Sequence, residues 1–293
     1  MTVPLSGIVL LAVLTLAYGG NWVAMKAAVA EIPVWTFRSV CLVVGGAILL
    51  AAARLRGLSL AIPAGERGPL LRAALLNVTG WQICSAYGLL LMEAGRASII
   101  GYTMPLWAVL LDRVLHGAPV SRPTAAALAL GLVGLAALVG PDLVRLAAAP
   151  IGALFMLAAA VAWGAGTVVL QRHRWTMPTA SLTAWQIVLG SLPVTAGALL
   201  LERSGLPGDM SAAATAGLAY ATLVGIVFCH YLWFHLVRVL PPSVAAIGVI
   251  GVPIVGVLLS ALVLGEAIGA RELIALACVL PALAIVLIGP KRS

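Results

Sequence analysis

The sequence predicts an all-α integral membrane protein, with ten transmembrane helices laid out as two inverted five-helix repeats. Three observations carry that prediction. The first is composition: 63% of the residues are hydrophobic and 9% charged, with a mean hydropathy of +1.15, whereas about a quarter of a soluble domain is charged. The second is a series of apolar runs near the roughly 20 residues that a helix needs to cross a bilayer core of about 30 Å. The third is internal recurrence: the Ala17 to Lys26 stretch has an echo 145 positions on, at Ala162, Trp163, Gly164 and Thr167.

Taken in order, the first span is residues 5–25, free of ionisable groups and closed by Lys26. No basic residue precedes Leu5, so this span is expected to be a retained helix and not a signal peptide. The second is residues 33–53, with Arg38 its lone charge. Residues 54–72 hold Arg54, Arg56, Arg67 and Arg72 among Gly57, Pro63, Gly65 and Gly68, which predicts a loop. Spans three to five are residues 73–92, 97–115 and 124–140, and Asp142 and Arg145 mark the mid-chain connection. Spans six to ten are residues 150–170, 178–201, 212–237, 241–264 and 273–288.

With the N-terminus cytoplasmic, eleven basic residues fall on the inner side, including Arg238, Lys291 and Arg292, and five on the outer side, including Arg145 and Arg203. That bias places both termini inside. The net charge of +8 is then a matter of loop arginines facing an anionic leaflet and not of a nucleic-acid surface. Cys41, Cys84, Cys229 and Cys278 all lie in apolar runs without Cys-x-x-Cys spacing, so they are expected to be small hydrophobes, with no disulfide framework and no metal site. No cofactor is called for.

The repeat pairs Gly19 with Gly164, Pro33 with Pro178, Gly45 with Gly190, Gly80 with Gly225 and Cys84 with Cys229 at an offset of 145. Beyond the third span the offset becomes 148, pairing Ala97 with Ala245 and Pro105 with Pro253. The repeats are residues 1–145 and 146–293. Five crossings is an odd number, so the second copy enters from the opposite side, an architecture associated with alternating access about a midplane site.

These features together resemble a known family. The five-plus-five spans, the Tyr18 to Lys26 ending of span one, the Ala-rich start of span nine leading to Pro253, and Leu264-Gly265-Glu266 are similar to the drug/metabolite transporter superfamily, EamA type. Within it the chain is most similar to bacterial inner-membrane amino-acid exporters, including YddG-like exporters of aromatic amino acids. One departure is visible at Leu115 to Ala118, where the family has an acidic residue after the glycine, which leaves Glu266 alone in that role. The resemblance implies amino-acid export through a bacterial inner membrane, and the chain is expected to be a monomer or homodimer.

Polar and aromatic groups inside spans are costly unless they face a cavity, which selects the candidate substrate contacts. Tyr18, Asn21 and Trp22 share a helical face with Met25, and either line a cavity or form an interfacial belt. Trp163 sits near the midplane with Thr167 one turn on. Asn77, Trp81 and Ser85 recur every four residues, and Tyr102 lies on a stripe with Ser98 and Pro105. In the matching span, Ala246, Ile250 and Pro253 form the counterpart stripe. Pro105 and Pro253 are either paired hinges or static kinks. His230 either binds a carboxylate, relays a proton or bonds a neighbouring helix. Trp185 and Gln186 lean to packing, and Arg38 and Lys26 are expected to snorkel to the interface.

Asp and Glu are absent from the middle of every predicted span, which disfavours a carboxylate proton relay and favours facilitated diffusion or exchange. A cavity of Tyr, Trp and Asn with few fixed charges suits zwitterions with neutral or aromatic side chains. A multidrug or cationic-compound exporter would use the same rings through cation–π contacts. An intramembrane enzyme is the third reading and the least supported, because His230 and His235 fall on different helix faces.

Overall fold

The computed structural model describes residues 5–144, 149–202, 205–239 and 242–288. Of the positions named above, Arg145, Arg203, Lys291 and Arg292 lie outside them, as do the side chains of Asp142, Arg238, Ala245 and Ala246. Every regular element among the described residues is a helix. α1 (Leu5–Val29) and α2 (Val34–Leu55) meet at Pro33, whose fixed φ of −54° and missing N–H suit a helix start. The next crossing is one rod: α3 (Arg67–Ala73), a π-helical stretch at Ala74–Gly80, and α4 (Trp81–Leu91).

After it come α5 (Ala94–Gly101), α6 (Met104–His116) and α7 (Arg122–Val144). The second half runs through α8 (Ala149–Arg172) and α9 (Thr179–Gly197), which winds into a π-helical end at Ala198–Glu202. Then follow α10 (Ala212–Ala219), a π-helical stretch at Tyr220–Phe228 and α11 (Cys229–Val239), again one rod. α12 (Pro242–Leu264) and α13 (Ala270–Ile288) close the chain. Among the described residues, 8 helical segments are long and apolar enough to cross a membrane, and Arg122–Leu138 and Gly248–Leu264 are shorter apolar helices.

Two expectations about boundaries are corrected. Residues 54–72 are not all loop: a 3-10 turn at Ala64–Glu66 leads into α3 at Arg67, six residues before the predicted start. Gly68 and Pro69 are tolerated there because first-turn N–H groups need no helical partner. The span predicted at 97–115 is two helices, broken at Tyr102 and Thr103. The Thr103 hydroxyl and N–H both donate to the Ile100 carbonyl, at 2.6 and 3.1 Å, which tightens the chain into a turn.

α2 lies along α9, and α7 along α13. α1 packs on α12 and α10, while α8 packs on α6 and on the α3–α4 rod. Without a hydrophobic drive between helices in lipid, such seams depend on close backbone approach. A Cβ on Gly19 would fall 2.3 Å from Val255 Cγ1 of α12, and one on Gly164 would fall 2.8 Å from the Ala108 nitrogen of α6. Gly45 and Gly190 are matched in the same way: their missing Cβ atoms make room for Ile226 and Val78, each 2.4 Å from the built position.

Candidate functional site

Four aromatic rings from four different helical segments form a line through the bundle. Tyr102, at the break between α5 and α6, meets Trp22 of α1 edge-on at 6.3 Å between centroids. Trp22 meets Trp81 of α4 at 6.4 Å, and Trp81 meets Trp163 of α8 at 5.2 Å, both edge-to-face. Such geometry matches the positive ring edge to the negative face of its neighbour. Trp22 and Tyr102 are buried, so Trp22 is a core ring and not an interfacial belt residue. Gly101 and Gly256 make room for it: built Cβ atoms would come within 2.9 and 3.4 Å of its indole.

A carboxamide stands one residue before Trp22 and another one turn before Trp81. Asn21 donates from Nδ2 to Met25 Sδ at 2.9 Å, and Asn77 from Nδ2 to Gln186 Oε1 at 3.3 Å. Each leaves its Oδ1 buried with no hydrogen-bond partner among the described residues. An orphaned buried acceptor costs about 1–3 kcal/mol unless something fills it. Both oxygens press on a glycine. A Cβ on Gly225, in the second π-helical stretch, would lie 2.5 Å from Asn21 Oδ1, and Asn77 itself sits in the first π-helical stretch, against Gly166. π-helical turns concentrate at functional sites.

The cations correct the sequence-based expectation. Arg38 does not snorkel: it is 3% exposed, and it donates to the Gln82 carbonyl at 3.0 Å and to Ser85 Oγ at 3.1 Å, with Met25 Sδ at 3.6 Å. Ser85, a candidate substrate contact, is fully buried beneath it and also donates to the Gln82 carbonyl. Lys26 likewise turns inward, donating to the Leu89 and Met92 carbonyls at 2.6 and 2.7 Å at the end of α4. An unpaired helix end offers such carbonyls. Hydropathy could not find either contact, because both depend on how α1 and α2 are rotated.

The remaining candidates divide. Tyr18 is half-buried against the core one residue from Gly19. Thr167 donates to the Trp163 carbonyl of its own helix at 2.8 Å. His230 leaves Nδ1 buried without a partner among the described residues, two positions past the second π-helical stretch. Pro105 is not an internal kink but opens the first turn of α6, whereas Pro253 lies inside the unbroken α12. Trp185 packs, donating from Nε1 to the Leu60 carbonyl, and Gln186 serves Asn77.

Carboxylates act at helix ends. Glu202 accepts the N–H groups of Trp35 and Thr36 at the start of α2, and Glu266 those of Ala94 and Gly95 at the start of α5. Glu272 pairs with Arg96 at 2.7 Å, and Asp112 takes Arg172 in a two-pronged pair at 2.8 and 2.9 Å. Glu66 accepts the N–H and hydroxyl of Thr176, and Glu31 those of Ser211. A negative group at a helix N-terminus answers both its free N–H groups and its dipole.

Known proteins give the arrangement a context. A crystal structure of a protein superposes with a TM-score of 0.65 at 22% identity, covering 96% of this chain and 97% of that one. The transporter YoaV of Bacillus subtilis is 24% identical over 256 residues, 87% of each chain. The inner membrane transporter YedA of Escherichia coli K12 is 25% identical over 94% of this chain and 89% of its own. A Salmonella typhimurium protein named "Probable amino-acid metabolite efflux pump" is 26% identical over 62% of this chain and 63% of its own. The model of the EamA-like transporter family matches twice, at residues 5–140 and 150–288. The chain therefore belongs to the EamA-like transporter family and is a multi-pass membrane transporter.

Proposed function

We propose that this transporter exports neutral or aromatic amino acids across a bacterial inner membrane by alternating access, as facilitated diffusion or exchange. The observation that carries the reading is the aromatic line from Tyr102 to Trp163, flanked by two carboxamides whose Oδ1 atoms have no partner. An apolar or aromatic side chain would stack on the rings, and an ammonium group would satisfy such an acceptor once its carboxamide turns away from the glycine that covers it. Arg38 and Lys26 are already engaged by protein groups, and the carboxylates named above stand at helix ends. A site so poor in free charge suits a zwitterion better than a sugar phosphate.

Two inverted repeats, residues 1–145 and 146–293, are part of the proposal. The double match of the family model and the paired glycine seams support it. The eleven-to-five division of basic residues supports cytoplasmic termini. The direction and the substrate class draw on the printed name of the Salmonella relative and on the family resemblance.

The test is counterflow of labelled amino acids into proteoliposomes of purified protein. Tryptophan, phenylalanine or other neutral amino acids are expected to exchange, and a lipophilic cation is not expected to compete. Counterflow of the labelled cation, with no counterflow of any amino acid, would move the reading to a cationic-compound exporter. Trp163→Ala is expected to lower the rate at least about tenfold, the cost of one lost stacking contact of about 1.4 kcal/mol. Unchanged counterflow of every amino acid would remove Trp163 from the site, and accumulation driven by an imposed pH difference would overturn the uncoupled mechanism.

A further inference from the structure

A second site lies away from the aromatic line. The α3–α4 rod, α6 and α8 leave between them a cleft of about 340 Å³ that is mostly apolar but rimmed by four basic side chains, Arg72, His116, Arg172 and His173. Val168, 3% exposed, lines its floor, and Leu115, 63% exposed, stands at its edge on the outer surface of the bundle. The cleft therefore opens at the surface of the bundle beside an exposed apolar side chain. Asp112 engages Arg172 and lies 3.1 Å from His116 Nδ1, which holds the rim in place while cancelling one positive charge. Arg72 is exposed and has no hydrogen-bond or ion-pair partner among the described residues. Counting Arg72 and Arg172 against Asp112, the rim carries a net charge of +1 before either histidine is protonated.

The other half shows that this opening is specific to its place. Gly217 lies 145 positions after Arg72, and a Cβ there would sit 2.4 Å from the Ala24 carbonyl of α1. Ala27 and Ala28 stand at the positions matching Arg172 and His173. Where one half is sealed by small apolar residues, the other has a cationic rim around an apolar slot.

We propose that this cleft binds the phosphate headgroup of an anionic membrane phospholipid, with Arg72 as the free cation that contacts the phosphate and the apolar walls taking the start of an acyl chain. Basic pockets between transmembrane helices are suited to such headgroups. A free inorganic phosphate shares the headgroup chemistry but has nothing to place against the apolar walls. The site uses none of the residues assigned to the transported solute, so it stands or falls separately from the proposed substrate.

Native mass spectrometry of the purified full-length protein, released from mixed micelles of phosphatidylglycerol and phosphatidylcholine, tests it. Wild type is expected to retain phosphatidylglycerol over phosphatidylcholine by about fivefold, the preference that one surface cation gives. Arg72→Ala and Arg72→Glu are expected to bring the two lipids to parity, and Arg72→Lys to keep the excess. Equal retention by wild type, or an excess that survives Arg72→Glu, would overturn the site. Displacement of the bound phosphatidylglycerol by millimolar inorganic phosphate would assign the rim to a free anion and sink the lipid, and displacement by tryptophan would make the cleft part of the solute path, with the same result. Unfolding temperatures and size-exclusion profiles that match wild type certify the variants; should Arg72→Glu fail that check, Arg72→Ala against Arg72→Lys decides the question alone.

Discussion

The fourth crossing and α12 hold prolines 148 positions apart, yet the two are built differently. In the fourth crossing the helix stops at Gly101, turns through Tyr102 and Thr103 with ψ near zero, and restarts with Pro105 in its first turn. α12 runs unbroken past Pro253, leaning on α1 through Gly19 and on Trp22 and Ser98 through Gly256. A proline in a first turn gives up no hydrogen bond; one in mid-helix gives up the bond to the carbonyl four residues before it. The same residue is thus a cheap joint in one crossing and a costly flaw in a stiff rod in the other. The joint carries Tyr102, an end of the aromatic line, so a bend there moves a ring of the candidate site directly.

The sharpest way to break this contrast is to attack the rod's seam. Gly19→Val puts carbon 2.3 Å from Val255 Cγ1, and is expected to cost about 3 kcal/mol or more, read as lost folded yield and a lower unfolding temperature in detergent. A variant as stable as wild type would mean that α12 is free to move off α1. Next in size is the proline pair. Pro253→Ala is expected to stabilise by about 1–2 kcal/mol by restoring a helical hydrogen bond, while Pro105→Ala changes stability by less than about 0.5 kcal/mol. Counterflow rates should show the reverse weighting, slower for Pro105→Ala and near wild type for Pro253→Ala. Equal rates for the two would remove the joint from the cycle.

The smallest expected effect compares the two ends of the bundle. The hydroxyl and N–H of Ser211 hold the Glu31 carboxyl below its ordinary range. A carboxyl depressed on folding adds stability above its unfolded pKa of about 4.3, and that stability is lost as pH falls through the lower folded value. Glu31→Gln is therefore expected to flatten slightly the decline in unfolding temperature below about pH 4.5. An identical acid profile for both proteins would show that this contact does not count.

Much of the fold was legible in the sequence, because apolar length and loop arginines report directly on a bilayer. The aromatic site is partly legible: spacing makes Trp22, Trp81, Tyr102 and Trp163 candidates, and they meet. What escaped was anything set by helix rotation or local winding. A single arginine in an apolar span is compatible with lipid or with the bundle interior, and only the approach of α4 to α2 decides that Arg38 is buried. The π-helical stretches at Ala74–Gly80 and Tyr220–Phe228 leave no composition signal, since both read as ordinary apolar helix. Ser85, a candidate substrate contact by spacing, lies under a guanidinium, a neighbour that spacing does not reveal.

Glu31 with Ser211 and Glu66 with Thr176 are one contact used twice. Positions 31 and 176 are 145 apart, as are 66 and 211, so the carboxylate and the hydroxyl have exchanged places between the two ends. The settings differ: Glu31 is exposed and gives one oxygen to each Ser211 donor, whereas Glu66 is buried and takes both Thr176 donors on Oε1. Other ties at the ends have no twin: Lys26 on the α4 carbonyls, Glu202 on the start of α2, Glu266 on the start of α5 and Arg172 on Asp112. If the ends open in turn, as proposed, then loosening the unpaired ties of one end alone would favour the state open at that end.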